Sequence, residues 1–334
     1  MTEVSNSNTN DNYVVAYRPL RELLTGSVAS ITITLLIVIG VGLYLVGPKF
    51  LSFSNISIIG AFLVVPLIVG AFSGFALLSG VVDLSIGSMV AFSSALFALL
   101  LSTGWDPYVA GAITLICCIA FGGVNALAIV KFGASPIAAT LGMLTALRGI
   151  AWVIVGDTGA LFAFHPGLFG IVNLSVFGLP LFFLIAIGLT LIATLVVTKM
   201  RIGRHIQAVG GDERAAERAG ISVGGVRTIA LVMSALGAGI GGIIFVGQLG
   251  SASRATGFGL EFEVYAALMI GGYSILRGGI GNPAGGVLGL LAVAAVTNIL
   301  DLTSSSPYIA NIIVGLLLLA AVLLDRLRGG DAFE

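Results

Sequence analysis

Ionisable and hydroxyl side chains inside long apolar stretches are the first candidates for chemistry in this sequence. They are Asp83, Ser85, Arg148, Glu261 and Glu263. Burying an ionisable side chain in apolar surroundings is costly, so such a residue is by default a hypothesis of function. We therefore predict that these five side chains are candidates for the lining of a polar pathway through an apolar interior.

Each candidate also has a structural alternative. A helix begins near Asp83, where a carboxylate favours the positive end of the helix dipole and Ser85 can cap the first turn. Glu261 and Glu263 open another helix, where the same electrostatics apply or where they contact an external partner. Arg148 can extend its guanidinium toward water or pair with a carboxylate on another segment. The residues alone leave both interpretations open.

Patterns typical of enzymes do not accompany these residues. A phosphate-binding P-loop needs glycine directly before lysine, and the lysines of this chain follow proline, valine and threonine. Gly237–Gly242 (GAGIGG) match the dinucleotide-binding pattern but lie within an apolar run instead of a strand–turn–helix unit. We expect His165 and His205 in different loops on opposite sides of the membrane. We therefore expect no enzyme activity of the chain itself, no metal or other cofactor, and no nucleic-acid partner.

Composition places these residues in a membrane protein. Hydrophobic residues make up 58% of the 334 residues, charged residues only 9%, and the mean hydropathy is +1.14. A soluble domain of this length could not cover its surface with so few charges. We predict an all-α fold, a polytopic membrane protein with about ten transmembrane helices. Ten segments have the length of about 20 mainly apolar residues that a spanning helix needs, namely 28–46, 56–73, 84–102, 108–130, 136–156, 179–198, 228–246, 262–276, 284–300 and 307–324.

The distribution of Lys and Arg orients these segments. With the N-terminus in the cytoplasm, an even number of spans returns the C-terminus there and places most basic residues on the inner side. Twelve of the 15 basic residues then lie inside, namely Arg18, Arg21, Lys131, Lys199, Arg201, Arg204, Arg214, Arg218, Arg227, Arg277, Arg326 and Arg328. We therefore expect a cytoplasmic N-terminal tail at 1–27, a single transmembrane domain at 28–326 and a cytoplasmic C-terminal tail at 327–334.

Two Gly-interrupted stretches break the apolar pattern at corresponding places. Spans two to five and seven to ten form two sets of four that enter the membrane from opposite sides. An interrupted stretch follows the first span of each set, at Ser73–Ser88 and at Gly247–Gly259. Such segments at matching positions of two inverted halves point to a transport pathway. We predict two inverted four-helix repeats, although ordinary polar loops would give the same pattern.

Charge is concentrated between the sixth and seventh spans, in Lys199–Arg227, which we call the coupling segment. It holds nine of the 30 charged side chains, counting 15 basic and 15 acidic residues together. Ala215, Ala216 and Ala219 favour a short helix, and Gly220 is suited to end it. A charged helix on a protein otherwise built for lipid indicates contact with something outside the bilayer.

Three motifs resemble the ribose-type sugar permeases of ABC importers, and the resemblance runs from about residue 50 to the end. The coupling motif of that family is approximately G-R-x-x-x-A-x-G-x-N-x-x-A-A-x-x-x-G-I. Here GRHIQAVGGDERAAERAGI has Asp212 in place of the asparagine and matches at Gly203, Arg204, Ala208, Gly210, Ala215, Ala216, Gly220 and Ile221. The family's G-G-I-D-L-S-V-G-S appears as GVVDLSIGS at Gly80–Ser88. A third motif places Glu261 on the family's glutamate and Tyr265 where isoleucine is usual.

The resemblance implies the membrane subunit of a bacterial ABC importer for a monosaccharide, ribose-like in kind. Its partners would be a separate cytoplasmic ATPase, a periplasmic sugar-binding protein and a second permease copy or homologue, surrounded by the lipid of the inner membrane. The coupling segment would contact the ATPase, with Ala216 on the contacting face. Two alternatives stay open at this point: an ion-coupled secondary transporter, and an importer of the same class for another small polar solute.

Overall fold

The computed structural model describes residues 27–304 and 306–329, and most of these residues are helical. The N-terminal tail up to residue 26, with Arg18 and Arg21, and residues 330–334 lie outside the described residues. The helices are α1 (Ser27–Leu45), α2 (Phe53–Leu78), α3 (Ile86–Ser102), α4 (Pro107–Ala126), α5 (Pro136–Val155), α6 (Pro166–Val172), α7 (Leu181–Lys199), α8 (Arg201–Gly211), α9 (Glu213–Arg218), α10 (Val223–Leu249), α11 (Leu260–Ile270), α12 (Pro283–Leu302) and α13 (Pro307–Gly329). Short strands are β1 (Ala160–Phe162), β2 (Ser175–Val176), β3 (Leu179–Pro180) and β4 (Ser251–Ser253).

The prediction of an all-α polytopic membrane protein is confirmed. Eight helical segments of the described residues are long and apolar enough to cross a membrane, namely those of α1, α2, α4, α5, α7, α10, α12 and α13. Helix α3 has 17 residues and α11 has 11, so these two are shorter. Each of the ten predicted segments contains one helix, while the number of crossings and the inverted repeats stay predictions.

Helices α2 and α10 form the centre of the bundle. Helices α3 and α4 pack on α10, and α12 packs on α2. The apolar windows of α2 and α10 are each 61% buried, against 17% for the segment Ile31–Leu51. Glycines permit this packing, because Gly237 lies against Phe72 and Gly241 lies against Val65 and Val69. Small residues let membrane helices approach closely, which explains the central position of these two helices.

Two interruptions follow α2 and α10, and both are shorter than predicted, since α10 continues to Leu249 and leaves 250–259 instead of Gly247–Gly259. Helix α2 continues to Leu78 and α3 begins at Ile86, so only 79–85 leaves the helix, instead of the whole of Ser73–Ser88. Gly80 ends α2 at φ +79°, a conformation that favours glycine. The second interruption covers 250–259 and contains β4. We refer to 79–85 and 250–259 as the first and the second interruption.

The segment between α5 and α7 braces the second interruption. Strand β1 pairs antiparallel with β4, with Ala160 opposite Ser253. His165 caps the short helix α6, because its Nδ1 atom accepts a hydrogen bond from the amide of Leu168 at 3.2 Å. This histidine therefore has a structural contact that accounts for it.

Candidate functional site

Asp83 is the centre of a buried hydrogen-bond network in the first interruption. The residue is 1% exposed. Its Oδ1 atom accepts hydrogen bonds from the amide and the hydroxyl of Ser85, at 3.0 and 2.5 Å. Its Oδ2 atom accepts from the hydroxyl of Ser234 on α10, at 2.7 Å. A buried carboxylate is stabilised by donors of this kind, and here they fasten the interruption to the central helix.

Two side chains from other helices complete the network. The Tyr265 hydroxyl on α11 accepts from the amide of Asp83 at 3.0 Å and donates to its carbonyl at 2.8 Å. Asn125 on α4 donates to the Ser85 hydroxyl oxygen at 3.1 Å. Sequence reasoning missed Tyr265, Ser234 and Asn125 as partners. The only signal in the sequence was that each of the three is a polar side chain within an apolar segment. At one of them, tyrosine replaces the isoleucine that is usual in the family.

Helix capping, one of the two interpretations of Asp83 and Ser85, does not describe what the structure shows. Ser85 does occupy the N-cap position of α3, but its side chain makes no capping hydrogen bond. Its hydroxyl donates to Asp83 instead and accepts from Asn125. The network holds a non-helical stretch between two helices, which is a different role from capping the first turn of a helix.

Arg148 on α5 binds the second interruption. Its guanidinium donates to the carbonyls of Thr256 and Gly257 at 2.8 and 3.0 Å, and lies 5.6 Å from the ring centre of Phe258. The expectation that this side chain extends into water is wrong, because Arg148 is 9% exposed. Its charge interacts with the carboxylate of Glu261 on α11, as the second expectation had it, but the two side chains form no direct salt bridge within the described residues. The direct hydrogen bonds of the guanidinium go to the two backbone carbonyls.

Glu261 packs against the beginning of α3. The residue is 4% exposed, and its Oε2 atom has no hydrogen-bond partner among the described residues. Its carboxylate lies so close to Gly87 that no Cβ atom would fit there. Because Gly87 is in the first turn of α3, the negative charge lies at the positive end of that helix. The expected helix-start electrostatics thus act on α3 as well as on the helix that carries Glu261.

Glu263 lines a cavity of about 640 Å³, which we call the chamber. Its walls come from the first half of α2, the end of α10, the second interruption, the start of α11 and the end of α12. The chamber is separated along α2 from the coupling segment, because it reaches Pro66 whereas Leu78 lies beside α8. These twelve residues of helix correspond to roughly 18 Å at about 1.5 Å per residue. Among the five candidates for a pathway, Glu263 alone lines the chamber; Asp83, Ser85, Arg148 and Glu261 are packed behind its walls or away from it.

The coupling segment folds into two helices, α8 and α9, where one short helix was expected. Asp212 separates them and caps α9, since its side chain accepts from the amide of Ala215 at 3.0 Å. Asparagine and aspartate are nearly equivalent as caps, which explains why Asp212 can stand in place of the family's asparagine. Gly220, at φ +79°, follows the end of α9. Its expected role in ending this helix is confirmed.

Burial divides the residues of the coupling motif. Arg204, Asp212, Ala215 and Gly220 are exposed, and Ile221 is partly buried. Gly203 is buried against the backbone of Val196 and Val197. Ala216 is 4% exposed and packs into the protein's own core, so the expectation that it lies on the surface facing the ATPase is wrong. The position of α9 relative to α8 and α10 decides this, and neighbouring Ala215 is the exposed alanine of the pair.

Gly210 of α8 lies at a junction of three backbone segments. A Cβ atom on Gly210 would overlap the carbonyl oxygen of Leu78 and come within 2.5 Å of the amide of Gly279. The amide of Gly279 itself donates to the Leu78 carbonyl at 2.9 Å, and Gly278 lies against Gly80 and Gly210. We call this meeting of 78–80, 210–211 and 278–279 the glycine junction. It connects the coupling segment directly with the first interruption and with the loop after α11.

Asp325 on α13 holds the loop that leads into the glycine junction. Its Oδ2 atom accepts from the hydroxyl of Ser274 at 2.9 Å and from the amides of Ile275 and Leu276 at 3.0 and 3.3 Å. Sequence reasoning missed this residue, because nothing near Asp325 in the chain signals a loop about 50 residues earlier. The loop is therefore fixed on one side by α13 and on the other by the junction.

Comparison with known proteins identifies the family. Residues 56–322 match the model of the permease component of the branched-chain amino acid transport system. The D-allose transport system permease of Escherichia coli K12 is 32% identical over 83% of this chain and 85% of its own length. The L-arabinose transport system permease of the same strain is 31% identical over 84% and 85%, and the ribose import permease of Bacillus subtilis 168 is 32% identical over 75% and 78%. No solved structure gives a significant match.

The family match over residues 56–322 covers the coupling segment, both interruptions and the chamber. The relatives confirm the resemblance that the three motifs indicated, since they include ribose permeases. The chain belongs to the family of the permease component of the branched-chain amino acid transport system. The permeases of sugar transport systems named above are its relatives in this family.

Proposed function

We propose that this chain is the transmembrane permease subunit of a bacterial ABC importer for a monosaccharide, driven by a separate cytoplasmic ATPase. The observation that carries the proposal is the glycine junction, which joins an exposed, charged helix pair to the interrupted helices of the bundle. A permease without its own nucleotide site needs such a connection to receive motion from a partner. The names of the relatives, which are transport system permeases for D-allose, L-arabinose and ribose, support the class of solute.

The coupling segment has two contacts through which motion can pass. At one end, Glu213 of α9 forms a two-pronged ion pair with Arg227 of α10, with oxygen–nitrogen distances of 2.8 and 3.1 Å. At the other end, Gly210 of α8 lies on the end of α2 at the junction. Because α2 and α10 are the central helices, a displacement of α8 and α9 acts on both halves of the bundle at once.

The remaining partners follow from this assignment. The exposed surface of α9, with Arg214, Ala215, Glu217 and Arg218, faces the ATPase on the cytoplasmic side. A periplasmic sugar-binding protein delivers the solute at the opposite end, and a second permease copy or homologue completes the pathway. The chain lies in the inner membrane among lipids, with both termini in the cytoplasm, tails at 1–27 and 327–334, and one transmembrane domain at 28–326. The carboxylate oxygens of Asp83 already accept three hydrogen bonds, so they do not supply an open site for the ion of a secondary transporter.

Ala215→Asp tests the coupling role. Ala215 is exposed on α9, so the variant inserts and folds, but it places an unpaired carboxylate where the ATPase docks. We expect normal amounts of permease in the membrane, loss of the ATPase in co-purification and loss of uptake of the labelled sugar. Ala134→Asp, in the loop before α5, serves as a control and should retain the ATPase. Full uptake by Ala215→Asp would refute the coupling assignment.

A further inference from the structure

The chamber has the chemical character of a binding site. Its volume of about 640 Å³ lies within the range of about 300–1,000 Å³ that is usual for small-molecule sites. Phe62, Phe245 and Phe258 supply aromatic walls, and Thr297, Asn298 and Gln248 add hydroxyl and amide groups. A mainly apolar cavity with a few polar groups is typical of ligand sites.

Two carboxylates in the chamber are available to a ligand. Glu263 belongs to the first turn of α11, and Asp301 lies at the end of α12, and both line the chamber. Within the part of the chain that the structure describes, neither side chain takes part in a hydrogen bond or an ion pair. An ionised carboxylate accepts hydrogen bonds only. Glu263 is half-buried and lines the chamber, so it calls for donors from whatever occupies the chamber, whereas Asp301 is exposed and is open to water as well as to a ligand.

The backbone of α2 adds a further acceptor beside the chamber. Pro66 lines the chamber within α2, and proline removes the amide that would donate to the carbonyl of Phe62 four residues earlier. The neighbouring carbonyl of Ala61 accepts from the side chain of Gln248 at 3.1 Å. Both Phe62 and Gln248 also line the chamber. The chamber is therefore rich in hydrogen-bond acceptors.

The charges of the chamber select among classes of ligand. No Lys, Arg or His stands among the described residues that line it. Arg148 is near, but its guanidinium is engaged with the carbonyls of Thr256 and Gly257. A phosphorylated sugar, or the carboxylate of an amino acid, would face Glu263 and Asp301 without a cation to pair with. No group of three or more His, Cys, Asp or Glu side chains that could hold a metal ion occurs among the described residues.

We propose that the chamber binds a neutral aldose, whose hydroxyl groups donate to Glu263 and Asp301 while its apolar faces contact the phenylalanine rings. Hydroxyl donors satisfy both carboxylates, and bonds to an ionised acceptor are the stronger kind. The inference rests on the proposed function and deepens it. It places the solute in the permease itself and assigns contacts that separate a sugar permease from an amino acid permease within one family.

Protection of an introduced cysteine tests the proposal. The full-length chain with Thr297→Cys, in lipid nanodiscs, is treated with a small water-soluble maleimide, and the unsubstituted chain corrects for labelling of Cys117 and Cys118. The labelling rate is measured alone and with an excess of D-ribose, D-allose, L-arabinose, L-leucine or sodium chloride. We expect at least one aldose to slow labelling several-fold, and leucine and sodium chloride to leave the rate unchanged.

Two variants in the same background locate the contacts. Glu263→Gln and Asp301→Asn keep the size of each side chain but remove its charge, and each should abolish most of the protection by the aldose. Asp106→Asn is the matched control: it makes the same carboxylate-to-amide change at an exposed helix cap outside the chamber and should leave protection intact.

Several outcomes would overturn the proposal. They are equal labelling with and without every aldose, protection by leucine or sodium chloride instead, and full protection in both chamber variants. Its failure is distinguishable from failure of the proposed function. ATP-driven aldose uptake without protection of the introduced cysteine would refute only the binding of the aldose in the chamber. Aldose uptake without the ATPase would refute the assignment as an ABC importer.

Discussion

The two interruptions look alike in sequence but are held in different ways. The first, 79–85, is fixed by buried side chains, with Asp83 bound to Ser234 of α10 and Tyr265 of α11. The second, 250–259, is partly exposed and is held mainly through its backbone, by pairing of β4 with β1 and by Arg148 on two carbonyls. Few buried contacts and exposed backbone bonds give a segment lower local stability. We therefore expect the second interruption to open locally before the first.

The difference matches the position of each interruption. Gly80 of the first interruption lies in the glycine junction, next to the coupling segment. Thr256 and Phe258 of the second interruption form part of the chamber wall. A rigid connection transmits displacement, whereas a weaker one can rearrange around a solute. We therefore propose that the first interruption transmits motion from the coupling segment and that the second admits the solute to the chamber.

Asp83→Ala should have the largest effect on stability. The change leaves the Ser85 amide, the Ser85 hydroxyl and the Ser234 hydroxyl without their acceptor in a buried site. Hydrogen bonds to charged groups contribute about 1.5–3 kcal/mol each, so we expect a loss of at least about 3 kcal/mol. Size-exclusion chromatography of the purified protein should show little monodisperse material.

Asp83→Asn tests whether the protein needs the negative charge of Asp83 or only the hydrogen bonds of its network. Asparagine can still accept from Ser85 and donate to the Ser234 oxygen, so this variant should be folded with a moderately lower Tm and retain some transport. A folded Asp83→Asn protein without any transport would indicate that the charge itself serves the pathway. An unchanged Tm for Asp83→Ala would contradict the network.

Gly210→Ala should slow transport several-fold at a smaller cost in stability. Its methyl group would overlap the Leu78 carbonyl, and overpacking of this kind costs about 1–3 kcal/mol. We expect the protein to be present in the membrane but the labelled sugar to enter several-fold more slowly.

Gly211→Ala is the neighbouring control for the junction. No atom lies within 4 Å of its added methyl group, and alanine favours a helix over glycine. This variant should transport normally. Equal transport by the two variants would show that the junction does not transmit motion.

Tyr265→Phe removes only the hydroxyl that supports the first interruption. The amide and the carbonyl of Asp83 lose their partner, at a cost of about 1–3 kcal/mol for an unsatisfied buried group. A lower Tm, with the second interruption unchanged in hydrogen exchange, is expected. If Tm and exchange both remain as in the parent protein, the hydroxyl is not a support.

Arg148→Lys should have the smallest effect on Tm and a local effect on exchange. Lysine keeps the charge but lacks the fork that reaches two carbonyls, so we expect a loss of about 1 kcal/mol. Hydrogen exchange should become faster in 250–259 and stay the same in 79–85. Faster exchange in both stretches would mean that the two interruptions are not held independently.

Local chemistry made part of this structure predictable. Each of the ten apolar runs located a helix among the described residues, and the residues of the coupling motif predicted the helix that Gly220 ends. Partners distant in the chain could not be predicted, because Ser234 and Tyr265 lie 151 and 182 residues from Asp83. Glu261 and Glu263 also illustrate the limit. Two residues apart on a helix, they point to different sides, and only the packing of α11 decides which one lines the chamber.

The central claim is that a separate ATPase drives a sugar through this permease. The direct measurement is uptake of a labelled aldose into proteoliposomes that hold the permease with its ATPase and receive the binding protein outside. We predict uptake with ATP inside the vesicles, none with a non-hydrolysable ATP analogue, and no dependence on a proton or sodium gradient. Uptake driven by an ion gradient in vesicles without the ATPase would contradict the account.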